Sequence, residues 1–543
     1  MTNNNWDAFV NDYIESYFTA HPEVAVSAGR HEFDGKLSDW STAGLKSEIA
    51  RLHTLRDKAA AYTDAALDER QHFERDYLLS RIDGDLFWLE KAEWPYRNPQ
   101  FYADSIDPDV YISRNYAPLD VRLRAYITYA KAVPTAIAQI KSNLRTPLPR
   151  TLIKIGRTSI GGLASAFEKD VPSVFASVKD EKLQEEFRVA NAPAIKAVKD
   201  FDAWLQSQES SATDNFALGR DLFSEMLKST ERVDISLDQL EEIGKKDMER
   251  NLVALREACT EYAPGKTIAE CMAKAAANKP QGGAIEAARS QLSDLKKFIT
   301  DKNIVTIPGT EEAQVKEAPP YRRWNFAYIN IPGPYEKGLP SVYYISPPDP
   351  TWSKEKRDGY VPGKASLLFT SVHEVWPGHF LQFLHSNRNQ SKFGQLFVGY
   401  AFAEGWAHYT EEMMFEAGLG DGDAEAHIGQ LQEALLRNVR FLSAIGMHTR
   451  GMKVEESERM FREEAFQDAG TAQQQAERGT FDPAYLNYTL GKLMIRKLRE
   501  DWTATHGGRA AWKDFHDQFL KFGGPPIPLV RASMLGADSG SLF

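Results

Sequence analysis

A helical apolar period runs through most of this chain and is interrupted once by a run of prolines. In Leu237–Leu255 the apolar residues Leu237, Leu240, Ile243, Met248, Leu252 and Leu255 hold one stripe on a period of about 3.6 residues. Similar stripes run through Trp6–Tyr17, Phe73–Leu89, Val121–Leu144 and Leu183–Leu205. Pro134 is expected to kink or restart the Val121–Leu144 helix, because proline lacks a donor and clashes with the preceding turn. Between Ile304 and Asp349 stand Pro308, Pro319, Pro320, Pro332, Pro334, Pro340, Pro347 and Pro348, which forbid a long helix there. Trp324–Ile329 and Ser341–Ile345, between those prolines, are rich in β-formers and bounded by turn residues, so they predict strands of one small sheet. Helical pattern returns near Lys364 and persists to Phe522. The expected fold is mainly α, a large multi-helix body with a small β-sheet. Its three parts are a helical N-terminal lobe (1–303), a sheet insert (304–350) and a helical C-terminal lobe (351–543).

Charge and cysteine content narrow the partners. Lys and Arg number 65 against 76 Asp and Glu, a net charge of −11 with the signs interspersed, so a nucleic-acid partner is not expected. Cys259 and Cys271 are the two cysteines in 543 residues, and they predict reduced thiols rather than a disulfide framework. The start Met1-Thr2-Asn3-Asn4-Asn5-Trp6-Asp7 has neither a basic nor an apolar leader region, and no run approaches the ~18 apolar residues of a membrane span. A cytoplasmic protein with no membrane partner is expected; a homodimer is left open.

Chemistry concentrates late in the chain. Of 12 histidines, His373, His379, His385, His408, His427 and His448 fall in one stretch. The central string is His373-Glu374-Val375-Trp376-Pro377-Gly378-His379. A helical zinc-hydrolase pattern has histidines at i and i+4 with a Glu beside the first as general base. Here the second histidine is at i+6, which on a regular helix leaves the rings about 120° apart around the axis and about 9 Å along it. Pro377 and Gly378 supply a way out: a π-type widening by two residues returns His379 to the face of His373. Glu404, in Ala403-Glu404-Gly405-Trp406-Ala407-His408-Tyr409, follows far enough on to sit on an antiparallel helix as third ligand. His373, His379 and Glu404 are thus candidate metal ligands, with Glu374 as the base that takes the water proton. His408, one turn beyond Glu404, suits a supporting hydrogen bond or service as an alternative ligand. The cofactor expected is one Zn2+, with Mn2+ or Co2+ also compatible with these ligands.

Other residues complete the expectation. Tyr488, with Tyr485 as its rival, is the candidate donor to a developing oxyanion, and His448 a second. Arg440, one turn from Arg437, could hold a substrate carboxylate through a bidentate fork. Either Asn325–Ile331, which carries Tyr328, or Ser341–Ile345 could bind an extended peptide along a sheet edge, which makes Tyr328 a candidate substrate contact. Glu411, Glu412 and Glu416 read as a solvated helix face, and His385 and His427 as residues outside the chemistry.

The two motifs resemble those of the bacterial family known as domain of unknown function 885 (DUF 885). That family carries His-Glu-x-x-Pro-Gly-His followed by Glu-Gly-Trp, matched here by His373–His379 and Glu404-Gly405-Trp406. Ala28-Gly29-Arg30-His31 with Asp34–Asp39, Tyr116-Ala117-Pro118 with Arg122, and Tyr488-Thr489-Leu490-Gly491-Lys492 are similar to it as well. The resemblance implies a mostly helical metallohydrolase without a settled substrate. Glu404-Gly405-Trp406 also resembles the element that supplies the third zinc ligand in angiotensin-converting-enzyme-like peptidases, and with it a zincin-like oligopeptidase architecture. Ser443-Ala444 departs from the family, which tends to be acidic there. The leading expectation is a zinc-dependent hydrolase of amide bonds in short peptides (an oligopeptidase, dipeptidase or carboxypeptidase). The alternatives are a metallo-amidohydrolase of a small non-peptide molecule and a non-catalytic binding protein without the ion.

Overall fold

The structure is a computed structural model. It describes residues 3–319, 322–323, 325–536 and 539–543. Met1 and Thr2 of the N-terminal string, Pro320, and Trp324 of the first expected strand lie outside the described residues. The chain packs as two units: Met1–Phe216 with Pro320–Trp324 and Pro332–Leu339, and Ala217–Pro319 with Asn325–Ile331 and Pro340–Phe543. This differs from the three consecutive segments read from the sequence. Residues 217–303 group with the later part of the chain, because their helices bury apolar stripes there.

In the first unit the expected helices are present as α1 (Asn3–Ala20), α3 (Glu69–Leu86), α4 (Leu119–Asn143) and α5 (Glu181–Ser207), joined by α2 (Thr42–Ala60), which the apolar stripes did not mark. Asp68 and Asp180 cap α3 and α5 by accepting from backbone N–H groups three residues on. Pro134 does not break α4, which runs through it unbroken. One lost backbone bond is outweighed by the stripe Val133, Ala136, Ile137 and Ile140, all buried where α4 packs along α5. Residues of the family-like N-terminal strings converge here. His31 stacks on Tyr116 with ring centroids 3.6 Å apart, and Asp34 bonds both the His31 Nδ1 (3.0 Å) and the Tyr116 hydroxyl (2.9 Å).

The second unit contains α6 (Leu237–Tyr262), α7 (Ile268–Ala277), α8 (Ala284–Lys302), α9 (Lys364–Glu374), α10 (His379–Ser386), α11 (Tyr400–Glu416), α12 (Ala424–Thr449), α13 (Ala469–Phe481) and α14 (Asn487–Ala504). Ser236 and Gln239 close a capping box on α6, which lies along α12, while α11 lies along α14. The sheet has strands β1 (Ala313–Glu317), β2 (Ala327–Asn330) and β3 (Ser341–Ile345) in the order β1-β3-β2. β3 pairs parallel with β1 and antiparallel with β2. Ser341–Ile345 is therefore the central strand and has no free edge for a peptide; β2 is an edge. β1 escaped the sequence reading because Ala313-Gln314-Val315-Lys316-Glu317 buries only Val315. β2 packs against α9, which brings the sheet next to the His373 helix.

The cysteine expectation is overturned. Cys259 at the end of α6 and Cys271 on α7 form a disulfide. Spacing could not show this, because the turn between the two helices brings the thiols together. Protein isolated with thiols blocked at lysis, then denatured without reductant, is expected to carry no free thiol; two blocked thiols per chain would restore the reduced reading. No helix among the described residues is long and apolar enough to cross a membrane.

Candidate metal centre

The His373–His379 segment solves its spacing problem by ending one helix and starting another. α9 stops at Glu374 and α10 begins at His379. Across the break the Gly378 N–H donates to the Val372 carbonyl (3.0 Å) and the Leu381 N–H to the Val375 carbonyl (3.4 Å). Both bonds span six residues where an α-helix spans four, so the loop is two residues wider, as anticipated, but as a full break rather than a bulge in a continuous helix. Gly378 makes this turn sterically allowed: a Cβ there would lie 1.8 Å from the His373 carbonyl oxygen. The Trp406 indole N–H donates to the Pro377 carbonyl (2.9 Å) and ties the turn to α11.

The turn brings the two imidazoles together. Their ring centroids are 4.8 Å apart, with the planes at 89°. Glu404 reaches across from α11, its Oε2 lying 3.3 Å from His373 Nε2 and 3.1 Å from His379 Nε2. One ligand atom from each of the three residues lies within 4.8 Å of the others. Neither histidine contact is aligned as a hydrogen bond, and Glu404 Oε2 is buried with no hydrogen-bond partner among the described residues. Ligands at ~2.0–2.1 Å around a tetrahedral zinc stand roughly 3.3 Å apart. Donor type, separation and the unsatisfied oxygen all fit a divalent cation held by these three residues.

Glu411 is the residue the sequence reading missed. Its place in the row Glu411, Glu412 and Glu416 suggests a solvated helix face, yet it is 0% exposed. Its Oε1 accepts from His373 Nδ1 (2.7 Å) and its Oε2 from His408 Nδ1 (3.1 Å), and Arg437 lies 3.3 Å away. Accepting at Nδ1 leaves the His373 Nε2 lone pair facing the candidate cation. His408 thus supports the site through Glu411. Burial presses the Glu411 carboxyl upward, but Arg437 and the histidines outweigh it and hold it far below the usual carboxylate range. The signal was present: Glu404, His408 and Glu411, spaced four and three, form one stripe of a helix. Glu412 and Glu416 are not a solvated face either; they pair with Arg250 and with Arg499.

Around this core the expected residues divide. Glu374 is buried on the wall of a cavity of about 520 Å³ that also exposes His373, Arg437, Arg440 and Tyr488. Burial pushes the Glu374 carboxyl above its usual range, against the pull of His379 and His373. Tyr488 stacks near His373 (centroids 6.0 Å, planes 18°), and its hydroxyl accepts from Arg478 (3.4 Å), which leaves its own proton available. Tyr485 does not share the cavity: it is fully buried and its hydroxyl donates to Ser443. Ser443, at the family departure, is buried against Ser457. His448 is a structural residue, with its Nδ1 accepting from the Leu218 N–H (3.2 Å) and its Nε2 donating to the Gly479 carbonyl (2.7 Å). Tyr328 points away from the cavity and stacks on its cross-strand partner Tyr344 (5.2 Å), while Asn325, Phe326 and Ala327 form cavity wall. His385 donates to the Thr306 carbonyl and His427 stacks on Phe415, both outside the site.

Two glycines set the distance between the ligand helix and the Tyr488 helix. A Cβ on Gly405 would lie 2.5 Å from the Gly491 Cα, so α11 and α14 touch backbone to backbone just where Glu404 and Tyr488 emerge. The glycines of Glu404-Gly405-Trp406 and Tyr488-Thr489-Leu490-Gly491 are one packing contact.

Residues 22–534 match the profile of a family described as "Bacterial protein of unknown function (DUF885)". A "putative lipoprotein of unknown function" from Shewanella oneidensis shares the fold, with a TM-score of 0.80 and 24% identity over 98% of this chain and 99% of that one. A "putative lipoprotein" from Colwellia psychrerythraea gives 0.81 and 18%, covering 98% of each. Comparison with curated proteins gives no significant match.

Proposed function

We propose that this chain, which belongs to the DUF885 family of bacterial proteins of unknown function, is a metal-dependent hydrolase of amide bonds in short peptides. The observation that carries the reading is the convergence of His373, His379 and Glu404 on one point, with an unsatisfied Glu404 oxygen at its centre. Two imidazoles and one carboxylate are a zinc set that leaves a coordination position open; Mn2+ and Co2+ are compatible with the same ligands. When bound, the cation supplies Lewis acidity toward the scissile carbonyl and the attacking water.

The chain's own residues supply the rest. Glu374 takes the proton of the attacking water and returns it to the departing amine. A carboxyl raised by burial is better matched to that task near neutral pH. Tyr488 donates its phenolic proton as a hydrogen bond to the oxygen that becomes negative, since Arg478 occupies the acceptor side of the hydroxyl. Glu411 holds His373 in one tautomer. The edge strand β2 borders the cavity at Ala327, with Asn325 and Phe326 just before it, and its free edge offers backbone groups to an extended substrate. For the compartment, the Cys259–Cys271 bridge and the lipoprotein descriptions of two similar chains favour a location outside the cytoplasm.

The test is elemental analysis of the purified protein together with digestion of a short-peptide library. One transition-metal ion per chain is expected, with cleavage abolished by chelator and restored by Zn2+. Protein that takes up no metal and cleaves no peptide would remove the reading.

A further inference from the structure

Three arginines face Tyr488 beside the candidate metal centre, and their charges are not equally balanced. The guanidinium carbons of Arg437, Arg440 and Arg478 lie 5.9, 4.6 and 5.7 Å from the Tyr488 ring centroid. Arg437 is paired with Glu411 and Glu433, and Arg478 with Asp482. Arg440 has no carboxylate within ion-pair distance among the described residues. Its Nε donates to Gln475 Oε1 (2.8 Å), and its two terminal nitrogens have no hydrogen-bond partner there. The residue is only 5% exposed and forms part of the wall of the cavity that also reaches His373 and Glu374. Burial and the nearby charge of Arg478 both bear against this cation. A buried guanidinium with an open fork and no counter-charge is stabilised by an anion of matching geometry, and a carboxylate accepts two parallel N–H bonds from it.

We propose that Arg440 is the anchor for a substrate carboxylate, so that the site takes amides bearing a free carboxylate close to the scissile bond rather than internal stretches of long chains. This rests on the hydrolase reading for turnover, but not for binding. The carboxylate can be a peptide C-terminus or an acidic side chain; the same fork serves both.

The experiment has a kinetic arm and a binding arm. The first compares benzoyl-Gly-Phe, benzoyl-Gly-Phe-amide and benzoyl-Gly-Asp-amide as substrates of wild type, Arg440→Met and Arg440→Lys. Wild type is expected to favour the free acid over the Phe-amide by about a hundredfold in kcat/KM, mainly through KM, as for hydrogen bonds to a charged partner. In Arg440→Met that ratio falls to about one, and Arg440→Lys keeps part of it because the charge survives without the fork. Cleavage of the Asp-amide at the rate of the free acid would assign the anchor to side chains. The second arm measures calorimetric binding of benzoylglycine against benzoylglycinamide to the same proteins, with melting temperatures confirming that the variants fold. Arg440-dependent binding of benzoylglycine without turnover would uphold the anchor and sink the hydrolase reading. Equal handling of acid and amide by wild type in both arms would overturn the anchor.

Discussion

Glu374→Gln is expected to bind metal with the stoichiometry of the parent and to lose about 10³-fold in kcat, within the range that general acid–base groups contribute. The substitution keeps the shape of a side chain that is buried among His373, His379 and Glu404 and removes only its ability to carry a proton. It leaves His373, His379 and Glu404 in place, so elemental analysis should not distinguish it from the parent. Single-turnover rates on a cleaved peptide measure the effect directly. A variant within about tenfold of the parent rate would mean that another group takes the proton, because an amide cannot do so.

Gly378→Ala should strongly weaken metal binding while leaving the helical body folded. A Cβ at 1.8 Å from the His373 carbonyl oxygen cannot be accommodated by a flexible neighbour, since the clashing atom is backbone. The turn must then give up the bond from the Gly378 N–H to Val372, and His379 rotates away from His373. With one of three ligands displaced, zinc affinity is expected to drop by at least ~100-fold, more than the ~10–100-fold typical of losing a partner outside the ligand set. Competition with a chromophoric chelator gives the affinity, and far-ultraviolet circular dichroism the integrity of the helices. Unchanged affinity would show that the widened turn is not what aligns the two histidines.

The contrast between Glu404 and Glu411 shows how much of the site could be read in advance. Both lie on α11, and both are essential to the geometry. Glu404 was identifiable because it stands at a workable distance from a two-histidine motif. Glu411 matches no histidine of the linear motif by spacing, although His408 three residues earlier shares its helix face. Similar reasoning separates Tyr488 from Tyr485. They are three residues apart, but Tyr485 lies in the short 3-10 turn Pro483–Leu486 before α14 and points into the core, while Tyr488 opens on the cavity. No period in the sequence marks where that turn ends.

What the chain's sequence determined by itself were properties set by neighbours in the chain. Helices follow from apolar period and caps, the absence of a long helix across residues 304–349 follows from proline, and the metal motif follows from residue type and spacing. The tertiary structure decided everything that requires distant segments to meet. It made β3 central and β2 an edge, closed Cys259 onto Cys271, buried Glu411 between two histidines and, among the described residues, left Arg440 without a counter-charge. The physical reason is that burial and electrostatic pairing depend on the atoms that surround a side chain. For a helix residue most of those atoms belong to other helices, whose approach is set by contacts such as Gly405 on Gly491.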